Sequence, residues 1–193
     1  MTRILIACIG NIFLGDDGFG VEVARQLAAR PLPPGVAVKD FGIRGFDLTY
    51  ALLDPRELTI LVDACPRGDA PGTVYLVEPE VASDSTPAAL DAHTMNPMSV
   101  LGTVHSMGGP GSRILLVGCE PAGFGPEEGQ LGLSAPVEAA VPEAIALIEK
   151  LIQERGAGCQ ARSVASRGDV SSNVETNLDA AGRTVRATSR NSA

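Results

Sequence analysis

At 193 residues the chain is long enough for one domain with a proper core and short for two. A hydrophobic fraction of 45% without an apolar run of spanning length argues against a membrane protein, and a net charge of −8 argues against a nucleic-acid partner. Met1-Thr2-Arg3 leads straight into a strand-like segment with no signal-peptide pattern, so a cytoplasmic location is expected.

Five apolar, β-branched runs read as strands: Arg3–Ile9, Val36–Phe41, Leu58–Asp63, Thr73–Val77 and Arg113–Val117. Helical patterns lie between them. Phe19–Arg30 puts Val21, Ala24 and Ala28 on one face with Val23 and Leu27 beside them, and Phe46–Leu53 is a short second helix. Asn96 reads as an N-cap, with Pro97 at the first helical position of a helix reaching about Met107. The last pattern runs from Ser134 to Arg155, with a break or kink expected at Pro142 and a stop at Gly156.

This alternation predicts a three-layer α/β/α fold, a twisted, mainly parallel five-stranded sheet with helices on both faces. The gap from Asp63 to Thr73 is short for a crossover helix, so the fourth strand is open to an antiparallel placement. Beyond Gly156 the periodicity dissolves into Ser, Ala, Arg and Asn. The expected organisation is a domain over 1–156 and a low-complexity, disordered tail over 157–193. That tail carries a net charge of +2, leaving −10 on the remainder. Cys8, Cys65, Cys119 and Cys159 have no metal-like spacing and read as reduced thiols, with Cys8 and Cys119 inside strand patterns.

Ligands of open α/β sheets bind beyond the carboxyl ends of the strands. Asp16 and Asp17 follow the first strand, Asp40 closes the second and Asp63 closes the third. An acid there can cap a helix or end a strand, but one acid suffices for a cap and the second is spare. "GNIFLG" matches neither a dinucleotide fingerprint nor a P-loop, and paired acids at a helix start repel phosphate. This edge wants a cation. Of the two histidines, His93 in "DAHTMNP" belongs to a segment leading into a helix, while His105 lies within that helix.

The blocks "IGNIFLGDDGFGVEV", "TILVDAC" with "PGTVYLVEP", "DAHTMNPMSVL", "RILLVGCEP" and "GLSAPVEAAVPEA" together resemble the hydrogenase maturation proteases, in the family's order and over about residues 1–155. That resemblance implies nickel ligands at Asp17, Asp63 and His93, with Asp16 a neighbour or helix cap. It also implies an endopeptidase that removes the C-terminal extension of a nickel–iron hydrogenase large-subunit precursor after nickel insertion. Nickel would then arrive in the substrate, with no organic cofactor. Asp17 and Asp63 are the candidate catalytic acids, acting by metal polarisation of the carbonyl or by activation of water. The segment "DFGIRGFDL" departs from the glycine-threonine loop of many members. Its Gly42 and Arg44 are candidate contacts to the precursor. The rival reading is a non-catalytic nickel- or nucleotide-binding module on a related α/β fold.

Overall fold

The computed structural model describes residues 3–79, 97–126 and 128–164, with side chains through residue 155. It divides into two units, Met1–Ile152 and Gln153–Ala193. In the first, the strands β1 (Ile4–Ile9), β2 (Val36–Gly42), β3 (Leu58–Ala64), β4 (Val74–Val77) and β5 (Arg113–Cys119) form one sheet in the order β2-β1-β3-β5-β4. The first three pairings are parallel and β4 runs antiparallel to β5, as the short β3–β4 connection allows. The helices are α1 (Phe19–Ala28), α2 (Gly45–Leu53), α3 (Pro97–Ser106) and α4 (Ala135–Val164). Among the described residues no helix is long and apolar enough to cross a membrane.

The continuous apolar character of β1 is that of a strand covered on both faces. Ile4, Ile6 and Cys8 pack with α1 and α4, while Leu5, Ala7 and Ile9 pack with α2 and α3. The same period of two sends Ile60 and Val62 of β3 to the first layer and Leu61 to the second. Cys8 and Cys119 are buried free thiols, and Cys65 is a half-buried one.

Three local expectations are corrected. Helix α1 buries Phe19, Gly20, Val23, Ala24 and Leu27, whereas Ala28 is exposed and Val21 only half-buried. The core face follows the largest side chains, Phe19 and Leu27, which gain most from leaving water. Pro142 lies inside a continuous helix, so of the break or kink expected there the break does not occur. Pro142 is on the exposed face, and the carbonyl that a proline leaves without a helical partner belongs to exposed Glu138, where water can take the bond. Nor does the helix stop at Gly156, since helical backbone continues to Val164. Interior glycine costs only about 1 kcal/mol, and Ala157, Gln160, Ala161 and Arg162 are good helix formers. The rest of the expected tail, 165–193, lies outside the described residues, as do His93 and Asn96.

The strand order reverses at β1, so the carboxyl ends of β1 and β3 form the switch point of the sheet. Helix α1 starts hard against it. A Cβ on Gly20 would lie 2.1 Å from the Ile9 carbonyl oxygen and 2.5 Å from that of Val62. Gly20→Ala should therefore lift α1 off the strand ends and cost about 3 kcal/mol or more. A fall in the urea midpoint at unchanged m would register it, and a midpoint equal to wild type would show that the junction has slack.

Candidate functional site

The chain leaving β1 is wound tightly before α1 begins. Gly10 has φ 138°, and a Cβ there would meet the Asp17 carbonyl oxygen at 1.9 Å. Asn11 organises the turn: its carbonyl oxygen accepts from Leu14 N–H at 3.1 Å and its side-chain Oδ1 from Phe13 N–H at 3.0 Å. Its own N–H donates to Asp17 Oδ2 at 2.7 Å. Half-buried Asp17 thus has one backbone bond to its carboxylate, and burial still raises its pKa against that bond.

Asp63, the penultimate residue of β3, is 4% exposed. Burial, then the charge of Asp17, pushes its pKa up to about 8. Opposing this are the Cys65 thiol, which donates to Asp63 Oδ2 over 3.6 Å, and the Ala64 N–H. Without a cation Asp63 is therefore largely protonated at neutral pH. The β3 exit is itself pinned, because Tyr75 Oη donates to the Cys65 carbonyl at 2.7 Å. Glu120, 5% exposed, accepts Arg67 N–H at 2.7 Å and Gly68 N–H at 3.1 Å.

The other acids point elsewhere. No side chain caps α1. Asp16, 2% exposed, accepts Ala122 N–H at 2.8 Å, Ser134 N–H at 2.6 Å and the Ser134 hydroxyl at 2.9 Å. It holds the start of α4, not of α1, and a carboxylate at a helix N-terminus complements the dipole. Asp40 accepts its own Gly42 N–H at 2.8 Å, a turn role. Gly42 has φ 53°, and exposed Arg44 donates to the Asp40 carbonyl and lies 3.4 Å from Asp47 Oδ2. His105 is exposed on α3. Asn11, Glu120 and Cys65 were missed as supports of the acids. Asn11 alone had a signal, as the residue after the glycine that ends the first apolar run.

Among the described residues no three His, Cys, Asp or Glu side chains converge closely enough to hold a metal ion. Asp17 and Asp63 come together, and His93 belongs to a segment outside those residues. A buried and a half-buried carboxyl, under-compensated among the described residues, would fit a divalent cation, which would replace the proton on Asp63.

An open, mainly parallel sheet with an acid pair at its switch point defines the class as an α/β protein with its candidate site at the strand ends. Comparison with known proteins narrows this. A sequence model of the hydrogenase maturation proteases (HycI) matches residues 21–151. The chain is 32% identical over 162 residues to the hydrogenase expression/formation protein HupD of Rhizobium leguminosarum, covering 83% of this chain and 79% of that protein. It is 28% identical over 155 residues to the hydrogenase 2 maturation protease of Escherichia coli, covering 80% and 93%. Among solved structures, the hydrogenase maturating endopeptidase HybD from E. coli superposes with a TM-score of 0.63 at 29% identity, covering 80% of this chain and 94% of that one. A hydrogenase 2 maturation peptidase from a Thaumarchaeota archaeon gives 0.59 at 32% identity, covering 78% and 98%. The chain belongs to the hydrogenase maturation protease family, which places it among peptidases serving hydrogenase maturation.

Proposed function

We propose that this protein is the endopeptidase that removes the C-terminal extension of a nickel–iron hydrogenase large-subunit precursor once nickel is in place. The observation that carries the reading is the Asp17–Asp63 pair at the β1/β3 switch point, short of positive charge among the described residues. Nickel belongs to the substrate here. Asp17, Asp63 and His93 are its proposed protein ligands, and two carboxylates with an imidazole suit a borderline divalent metal. Gly42, the last residue of β2, and Arg44, between β2 and α2, are proposed to meet the precursor on the same edge.

The charge balance links nickel to cleavage. A precursor without the ion leaves Asp63 protonated and unable to serve as a ligand or base. Arrival of the dication displaces that proton and leaves two carboxylates at the scissile bond. Water adds its oxygen to the carbonyl carbon, the C–N bond breaks, and the water's proton passes by way of a carboxylate to the departing amine. Polarisation of the carbonyl by the substrate's nickel lowers the same barrier.

Incubation with nickel-loaded precursor should shorten its C-terminus by mass spectrometry, while nickel-free precursor stays intact. Asp17→Asn should slow the loaded reaction by about a hundredfold or more. Tight binding without any mass loss would instead favour the nickel-binding module.

A further inference from the structure

The loop after β1 and the loop after β5 are one structure. Gly15 N–H donates to the Gln130 carbonyl at 2.8 Å, Gln130 N–H to the Phe13 carbonyl at 2.7 Å, and Gly125 N–H to the Leu14 carbonyl at 3.0 Å. Leu14 and Gln130, and Gly15 and Phe124, form isolated β-bridges. Asp16 fastens the base of the pair to Ala122 and Ser134. Yet this fixed backbone leaves Phe13 59%, Phe124 49% and Leu131 72% exposed, with Ile12 beside them. Loops held this rigidly around large apolar side chains gain no core from them, and such a patch marks a contact surface.

Three observations identify the occupant. Asn11, whose N–H binds Asp17, also accepts the bonds from Phe13 and Leu14 that shape this lip, so the lip and the acid share one anchor. Residues 11–15 and 121–131 contain no Lys or Arg and include Glu127 and Glu128, which disfavours an anionic lipid surface or an acidic peptide. The family's reaction, finally, has a polypeptide substrate.

Resting on the function proposed above, we infer that Phe13, Phe124 and Leu131 form a preorganised apolar lip that seats a non-acidic, apolar segment of the precursor beside its scissile bond. The two loops act as one docking surface, fixed before substrate arrives.

The test is biolayer interferometry against immobilised nickel-loaded precursor, with the mass assay run separately on wild type. Phe13→Ser/Phe124→Ser/Leu131→Ser should bind about tenfold or more weakly. Leu76→Ser/Met107→Ser, exposed on β4 and just beyond α3, should bind within about twofold of wild type. The single variant Leu131→Ser, at the most exposed position, replaces the triple variant should that one fail to fold, and should bind about threefold or more weakly. Lip variants binding like wild type would overturn the inference, as would a wild-type dimer that the lip substitutions disperse. Lip-dependent binding without cleavage by wild type removes the proteolytic reading and leaves the lip standing. Absence of binding by wild type overturns both.

Discussion

Asp63→Asn should abolish precursor processing and at the same time make the metal-free protein more stable at alkaline pH. Asp63 titrates near pH 8 when folded, against an ordinary value of 3.8 when unfolded. The folded chain therefore holds an extra proton between those values. The stability this supplies is complete below about pH 4 and is lost as pH rises toward 8, levelling off above it. The difference between those two values corresponds to about 6 kcal/mol lost across that window. An asparagine has no proton to lose. Urea unfolding of the two proteins from pH 4 to 9 should give curves that diverge, with the variant ahead by about 1–2 kcal/mol at pH 8.5. Parallel curves would mean that Asp63 is charged throughout and that the pair is not strained. Retained processing by the variant would remove Asp63 from the site.

Asp16→Ala should also damage this edge, by a different route. It strands the Ala122 and Ser134 N–H groups and the Ser134 hydroxyl, all of which it satisfies at 2.6–2.9 Å. Loss of about 2–3 kcal/mol follows, because three donors, part-buried in these bonds, lose a charged acceptor together and water replaces it only in part. Ser134→Ala removes only one of the three bonds and should cost about 1 kcal/mol. Denaturant midpoints at pH 7 rank the two variants. A small effect from Asp16→Ala would show that the carboxylate does not hold the start of α4. The adjacent acids therefore separate experimentally: one failure is of folding, the other of chemistry.

That division was only half legible in the sequence. The layers were, because apolar runs and helical periods are local properties, and the antiparallel β4 followed from a connection too short to cross the sheet. Asp17 and Asp63 were legible as strand-end acids, and their common edge followed from parallel topology. The role of Asp16 was not. Its partners lie 106 and 118 residues away, and nothing at position 16 announces them. Capping of α1 was the local expectation, and tertiary structure overrode it. Pro142 misled for the same reason, since its effect depends on which face of α4 meets the core. Nothing local marks Glu120, whose carboxylate shapes the segment following Asp63 from more than fifty residues away.

Both acid-bearing segments hang from the same short stretch at the end of β5. Cys119 accepts Cys65 N–H through its carbonyl, Glu120 holds Arg67 and Gly68, and Ala122 donates to Asp16. The gap between the two acids is thus gauged by a strand that carries neither of them. Insertions or exchanges farther out, at the tips of the loops, can accumulate during divergence without altering that spacing. A change at 119–122 disturbs both sides together. Such a partition lets the outer rim vary while the separation of the two acids is inherited unchanged.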